Sequence, residues 1–111
     1  MASNPTPAYL VAQISVKSYE EYMQRYGMPA IAILQKYDAE VLVASATATY
    51  LEGQVNGNWT VIIRFPSLSV AKEFYDSSAY KPLRALRMNE LTSGATVLIV
   101  EGFDPSTLGA A

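Results

Sequence analysis

The segment Trp59–Ser67 constrains the fold of this chain more than any other part of the sequence. Large apolar residues occupy every second position in it, namely Trp59, Val61, Ile63 and Phe65. This two-residue period is typical of a β-strand. Pro66 ends the strand because proline has no backbone N–H to donate, and Ser67 can cap a following helix. Arg64 lies on the other face of the strand, where its permanent charge must meet solvent, a carboxylate or a ligand.

The composition indicates one domain without metal or disulfide chemistry. A chain of 111 residues can bury enough apolar surface to form a core of its own. It contains no cysteine and no histidine, which removes disulfides, thiolate chemistry and the usual ligands of transition metals. No glycine-rich phosphate-binding loop or nucleophile elbow occurs either. We expect no metal site and no cofactor.

Charge and hydropathy limit the partners and the location of the protein. The net charge is −2 and the basic residues do not cluster, which argues against binding to nucleic acid or to an anionic membrane. No apolar run approaches the roughly 20 residues of a membrane span. Residues Met1–Pro7 lack the positive start of a signal peptide. The sequence therefore predicts a soluble, cytoplasmic protein whose partners are small molecules or protein chains.

Four strands are predicted along the chain. They are Ala8–Ser15, Glu40–Tyr50, Trp59–Phe65 and Ala95–Glu101. Asn56-Gly57 predicts a tight turn between the second and third strands, because both residues accept the positive φ angles that such a turn needs. The domain is expected to span residues 8–102, with flexible tails at residues 1–7 and 103–111.

Two helical regions are predicted, each in more than one piece. Ser18 can cap the first region, which Gly27 and Pro29 interrupt. The second region follows Ser67, and a further helical piece begins at Ser77 or Ser78. The apolar residues of both regions recur at helical spacing, so one face of each helix should pack against the sheet.

This order of elements predicts an α+β fold, the ferredoxin-like βαββαβ sandwich. Its four-stranded antiparallel sheet has the strand order 4-1-3-2, and helices cover one face only. The residues expected to form the core on that face are Leu10, Ala12, Ile14, Trp59, Val61, Ile63, Phe65, Leu98 and Val100. The residues expected on the open face are Tyr9, Val11, Gln13, Val41, Val43, Ile62, Val97 and Ile99.

The open face would expose more apolar surface than a soluble monomer usually does. We therefore expect a second copy of the chain to cover it, which makes the protein a homodimer. Two sheets that meet face to face would enclose a cavity. Its few polar groups would be Gln13, Thr60, Arg64 and Glu101.

A set of short motifs is spread over most of the chain. These are Leu51-Glu52-Gly53, Phe65-Pro66-Ser67, Phe74-Tyr75-Asp76-Ser77 and Val100-Glu101-Gly102, with Ala71, Tyr80, Arg84 and Arg87. Together they resemble domain of unknown function family 1330 (DUF1330) over about Tyr9 to Gly102. The resemblance implies a dimeric α/β barrel, akin to cofactor-independent monooxygenases and muconolactone isomerases. The chain departs from the family pattern at Asp38-Ala39, where a Gly-Gly pair is usual, and near Ala44, where an arginine is common.

The first candidate binding group is Tyr80, Arg84 and Arg87. Their i, i+4, i+7 spacing places a phenol and two guanidinium groups on one face of a helix, where an anionic ligand would find donors. The alternative is structural, with the arginines paired to carboxylates on the surface. The candidates for that pairing are Glu52, Asp76 and Glu90.

A second candidate group lies on the predicted open face. Arg64 and Gln13 could bind a ligand between two sheets, although Glu101 on a neighbouring strand could instead pair with Arg64. Tyr75 and Tyr22 could line a pocket as hydrogen-bond donors, or could be packed aromatic residues of the core.

Three functional hypotheses follow from these residues. The first is a small dimeric protein that binds a partly apolar carboxylate or carbonyl compound. The second is an enzyme of the cofactor-independent oxygenase or isomerase type, in which the protein mainly positions a reactive substrate. The third is a structural or interaction subunit without pocket chemistry. The sequence favours the first and does not identify the ligand.

Overall fold

Four strands form one antiparallel sheet. In the computed structural model, which describes residues 6–104, the strands are β1 (Ala8–Val16), β2 (Glu40–Ser45), β3 (Trp59–Phe65) and β4 (Thr92–Glu101). Their order across the sheet is β2-β3-β1-β4, which is the predicted order read from the opposite edge. The strands β1 and β3 are therefore central, and β2 and β4 lie at the edges.

Two helical regions connect these strands. The first consists of α1 (Tyr19–Tyr22), a first π segment (Met23–Gly27) and α2 (Met28–Gln35). The second consists of α3 (Leu68–Tyr75), α4 (Lys81–Leu86) and a second π segment (Arg87–Leu91). In a π segment the helix is wider than an α-helix because its hydrogen bonds span five residues. The resulting α+β order confirms the predicted ferredoxin-like sandwich.

Serine side chains begin the helices where the sequence predicts them. Ser18 and Ser67 each accept a hydrogen bond from the backbone N–H three residues further on, at 3.4 and 3.2 Å. Ser77 makes the same bond to the N–H of Tyr80, at 3.2 Å, just before α4. These bonds satisfy backbone donors that would otherwise lack a partner at the start of a helix.

The first helical region continues through Gly27 and Pro29, where the sequence predicts an interruption. Gly27 keeps helical angles, with φ −59° and ψ −52°. Pro29 has no N–H for the next helical bond. The chain adapts by forming the first π segment just before it, in which the N–H of Met28 donates to the carbonyl of Met23. The proline therefore changes the type of turn and leaves the helix continuous.

The helix-facing side of the sheet holds the main core, as predicted for β1 and β3. Alternate residues of these two strands are buried or packed against the buried cluster, namely Leu10, Ala12, Ile14, Trp59, Val61, Ile63 and Phe65. The ring of Phe65 packs on that of Phe74 from α3, with centroids 5.5 Å apart. This pair ties the second helical region to the centre of the sheet.

The prediction for β4 is wrong about which side chains face the helices. Val97 and Ile99 pair with Ala12 and Leu10 and pack against the core, so they do not belong to the open face. Leu98 and Val100 are instead 44% and 43% exposed. Residues 97–100 are apolar at every position, and alternation therefore carries no information about the two faces here.

The prediction for β2 is wrong at Val41. A β-bulge shifts the register between Val41 and Val43, so that Val41 pairs with Ile63 and Val43 with Ile62. The extra residue leaves Val41 on the helix-facing side and Val43 on the open side.

The connection between β2 and β3 is longer than the predicted tight turn at Asn56-Gly57. β2 ends at Ser45, where the chain leaves the edge of the sheet. Further along this connection, the hydroxyl of Tyr50 accepts a hydrogen bond from Nε2 of Gln13 at 2.8 Å. Gly57 has φ +76°, and a Cβ at this position would lie 2.7 Å from the carbonyl oxygen of Ile14. The glycine is needed for this close approach and for its backbone angle.

The ends of the domain meet beside the sheet. The N–H of Gly102 donates to the carbonyl of Pro7 at 2.7 Å. Most of the two predicted flexible tails, residues 1–5 and 105–111, lies outside the described residues. Within residues 6–104, no helix combines the length and the apolar character needed to cross a membrane.

The central position of β3 predicts the slowest hydrogen exchange in the domain. The amides of Ile62 and Ile63 are hydrogen-bonded within a strand that has partners on both sides, so they should exchange only through opening of the whole domain. Amides of Glu40–Ser45, on an edge strand, should exchange faster. Exchange measured by NMR tests this order. Fast exchange at Ile62 and Ile63 beside slow exchange in β2 would contradict it.

Candidate functional site

A cavity of about 80 Å³ lies between the helix-facing side of the sheet and the helices. Its walls are mainly apolar, with side chains from all four strands and from both helical regions. Apart from the indole of Trp59, the polar side chains that line it are Tyr22, Tyr26, Tyr80 and Arg87. The cavity therefore has an apolar body and one polar end.

Arg87 is the charged group at the polar end. It is the first residue of the second π segment and is only 3% exposed. Its guanidinium carbon lies 5.9 Å from the ring centroid of Tyr26, within the range of a cation–π contact. The hydroxyl of Thr92 donates to the Arg87 carbonyl at 2.9 Å and fixes the backbone at this turn.

The guanidinium of Arg87 has polar neighbours but no acidic partner. Within residues 6–104, the ion pairs of arginine involve Arg25 and Arg84 and leave Arg87 without a carboxylate. Burial lowers the pKa of Arg87, but the phenols of Tyr26 and Tyr80 raise it by more, so the net pKa lies above its ordinary value. The group is therefore charged at neutral pH.

Three tyrosines surround this charge. The hydroxyl oxygens of Tyr26 and Tyr80 share a hydrogen bond of 2.5 Å, in which either group can donate. The ring of Tyr22 packs on that of Tyr26, with centroids 5.0 Å apart. Burial raises the pKa of Tyr22 and of Tyr26 well above the ordinary value of a phenol. Both phenols are thus neutral at physiological pH and do not balance the charge of Arg87.

The two π segments bring Tyr26 and Arg87 together. Tyr26 belongs to the first segment and Arg87 to the second. On the surface, Arg25 of the first segment bonds to Glu90 of the second at 3.1 Å. This pair is exposed and contributes little stability, but it marks where the segments meet. Departures from α-helical geometry of this kind are frequent at functional sites.

Arg87 also lines a second, open cleft of about 370 Å³. Its lining residues are Tyr75, Arg87, Met88, Thr92, Ser93, Gly94, Ala95 and Val97. Arg84 does not line this cleft but contacts Tyr75, with its guanidinium carbon 4.6 Å from the ring centroid. It also donates to the Tyr75 carbonyl at 3.1 Å and lies 3.9 Å from a carboxylate oxygen of Asp76.

The predicted site residues therefore fall into two groups. Tyr75, Tyr80 and Arg87 line the cavity or the cleft, and Arg84 contacts Tyr75. Arg64 and Gln13 lie on the open face, because their strand neighbours face the helices. A cavity between two open faces needs a partner chain, so the intersubunit site remains a prediction.

The suggested pairing of Arg64 with Glu101 is wrong. Glu101 is on β4, and β1 separates β4 from β3. The carboxylate in register with Arg64 is that of Glu40 on β2, and both side chains are exposed. Arg64 is therefore a solvated residue of the open face within one chain.

Tyr26 is the residue of this site that the sequence analysis did not select. Its i, i+4 spacing from Tyr22 is the same in a packed core stripe and in a binding site. Its contact with Tyr80 joins residues 54 positions apart and has no local signal. No group of three or more metal-ligating side chains that could hold a metal ion occurs among residues 6–104.

Sequence comparison identifies the family. Residues 7–103 match the family described as Domain of unknown function (DUF1330). The chain belongs to this family. The resemblance predicted from the short motifs is thus confirmed for DUF1330. No curated protein sequence matches the chain.

Several solved structures share the fold at low sequence identity. A protein of unknown function from Rhodopseudomonas palustris has a TM-score of 0.71 at 13% identity, covering 90% of this chain and 85% of that one. A candidate antibiotic biosynthesis monooxygenase from Caulobacter crescentus has a TM-score of 0.64 at 15% identity, covering 91% of this chain and 93% of that one. A dimeric ferredoxin-like protein of unknown function from Bacteroides fragilis has a TM-score of 0.57 at 12% identity, covering 86% of this chain and 96% of that one. These identities establish a shared fold alone.

The pKa shifts of Tyr22 and Tyr26 predict a loss of stability at alkaline pH. In the unfolded chain both phenols ionise near pH 10, whereas in the folded protein they stay protonated above it. The unfolded state then binds fewer protons than the folded state. The stability that these groups contribute is therefore complete below about pH 10 and is lost as the pH rises further.

Tyrosinate absorbance during an alkaline titration measures this effect. Two phenols should ionise only when the protein unfolds. Tyr26→Phe should remove one of them, so that stability falls less steeply as the pH rises. Tyr19→Phe, at an exposed position of α1, is the control and should leave both delayed phenols in place. Ionisation of every phenol near pH 10 with the fold intact would contradict the prediction.

Proposed function

We propose that the protein binds a small, partly apolar carboxylate or carbonyl compound in the cavity between its sheet and its helices. Arg87 is the anchor for the ligand's polar group, and the apolar walls accept the remainder. The observation that carries the proposal is a buried guanidinium that lines a cavity and has no acidic partner among the described residues.

The energetics of burial support an anionic group over a neutral carbonyl. A charge removed from water costs several kcal/mol unless a counter-charge and hydrogen bonds offset it. The phenols around Arg87 offer hydrogen bonds but no negative charge. A carboxylate would supply both, and its planar shape matches the two parallel N–H groups of a guanidinium.

The hydrogen-bond donors at the polar end of the cavity also favour a carboxylate ligand. A guanidinium donates only, and each phenol has one proton. Since one proton serves the bond between Tyr26 and Tyr80, the other remains for a further acceptor. Tyr22, whose phenol can also donate, lines the same cavity. A ligand that only accepts, such as a carboxylate, fits these donors best.

An enzyme of the cofactor-independent type is the second candidate. Donors that hold a carboxylate would also stabilise an enolate oxygen, and the fold is shared with candidate monooxygenases. The described lining of the cavity contains no carboxylate, histidine or lysine that could remove a proton. A substrate would thus have to supply its own acidity, which makes binding the better supported role.

We also propose that the protein is a homodimer that buries the open face of its sheet. On this face lie Val11, Val43, Ile62, Leu98 and Val100. The helices cover the opposite face only, and an apolar face of this size is unusual in a monomer. Two structures that share the fold are described as dimeric.

Substitution of Arg87 tests the binding role. Isocaproate is a suitable probe because it joins a carboxylate to a small branched apolar group, and isocaproamide is its neutral analogue. The native protein should prefer the acid, and Arg87→Met should weaken acid binding about 10- to 100-fold, the equivalent of about 1.5–3 kcal/mol for charge-assisted hydrogen bonds. Calorimetry measures both affinities.

Thermal unfolding distinguishes binding from a structural role. Because Arg87 has no acidic partner, Arg87→Met should keep the melting temperature or raise it. Arg84→Met and Arg64→Met are matched controls that should retain the probe. If Arg64→Met alone abolishes binding of the probe, the binding site lies on the open face. If the native protein binds no acid, an interaction subunit becomes the better hypothesis.

A charged substitution on the open face tests whether the protein is a dimer. Ile62→Glu should dissociate the dimer or prevent folding, because a carboxylate would be buried without a partner at the centre of the interface. Light scattering after size-exclusion chromatography measures the mass. Ser69→Glu, at an exposed position of α3, should remain dimeric. A native protein that is monomeric at micromolar concentration would refute the proposal.

A further inference from the structure

The cavity is smaller than the sites that usually hold a small molecule. Its volume is about 80 Å³, whereas ligand pockets typically measure about 300–1,000 Å³. The open cleft that Arg87 also lines, at about 370 Å³, falls within that range. A ligand anchored at Arg87 therefore has two spaces beside this residue, the cavity and the cleft.

The cavity and the cleft adjoin one another at Arg87. Arg87 and Val97 line both of them. Tyr80 lines the cavity and Tyr75 lines the cleft, and their ring centroids are 5.6 Å apart. Arg87 is thus shared by the lining of the apolar inner cavity and that of the open outer cleft.

The two compartments differ in chemistry. The inner cavity is apolar except for the tyrosines beside Arg87. The outer cleft includes Ser93 and Gly94, both exposed, in addition to the side chain of Met88. An apolar substituent would partition into the first compartment, and a polar substituent that keeps contact with water would fit the second.

Resting on the proposed binding of an acid at Arg87, we propose that the ligand is a carboxylate branched at its α-carbon. One branch is a short apolar group that enters the inner cavity. The other is a polar group that lies in the outer cleft. The carboxylate at the branch point then meets Arg87. This narrows the ligand class from small acids in general to α-substituted acids with one apolar and one polar arm.

Ala95 offers a way to fill the outer cleft without touching Arg87. It pairs with Ile14, whose side chain faces the helices, so Ala95 lies on the same side of β4 as Val97. It is exposed and lines the cleft. Ala95→Phe should therefore block the outer compartment and leave the inner cavity open. Ala85→Phe, at an exposed position of α4 outside both linings, is the matched control.

The experiment compares isocaproate with N-acetylleucine, which has the same apolar arm and carboxylate and adds a polar acetamido group at the α-carbon. The native protein should bind one enantiomer of N-acetylleucine about three- to tenfold more tightly than isocaproate, the gain expected from one added hydrogen bond. Ala95→Phe should remove this gain and the preference between enantiomers. Its affinity for isocaproate should stay within about twofold of the native value.

The outcomes separate this inference from the proposed function. If the native protein does not bind isocaproate, the proposed function itself fails. If it binds isocaproate but does not favour either enantiomer of N-acetylleucine, or if Ala95→Phe leaves that preference intact, the two-compartment ligand is wrong. Retained isocaproate binding shows that Ala95→Phe is folded. Should that variant misfold, Ala95→Leu fills less of the cleft and should reduce the preference in part.

Discussion

Both helical regions pack on the same side of the sheet, and the rest of the structure depends on this constraint. Buried residues of β1 and β3 can meet apolar partners on that side alone, so the chain has a single core between two layers. The cavity lies within this core, beside the two segments that depart from α-helical geometry. Among residues 6–104, no helix covers the opposite side of the sheet, on which apolar residues also lie.

The sequence predicts the strands well where one face is clearly more apolar than the other. In β3 large apolar residues occupy alternate positions, and the strand, its ends and its buried face follow from that pattern. In β4 residues 97–100 are all apolar, so pairing with β1 decides which of them are buried. The bulge at Val41 likewise depends on pairing between strands, and the residues around it do not predict it.

The candidate site was predictable in part, for a related reason. Helical spacing places Tyr80, Arg84 and Arg87 near one another, and in the structure Tyr80 and Arg87 line the same cavity while Arg84 stacks on Tyr75. Spacing does not reveal that Arg84 contacts Asp76 and the Tyr75 carbonyl whereas Arg87 is buried beside Tyr26. That difference arises from the contact between the two π segments, which are far apart in sequence.

The three arginines considered for binding differ in what their burial costs. Arg64 is solvated and Arg84 has a carboxylate and a carbonyl as partners, so neither charge requires a ligand to explain its position. Arg87 is buried beside neutral phenols, where a well-packed apolar side chain would often be as stable or more so. A residue whose charge opposes stability in the free protein, yet would favour binding of an anion, is typical of a functional site. Under the proposed function, therefore, folding and ligand binding would make opposite demands on the side chain of Arg87.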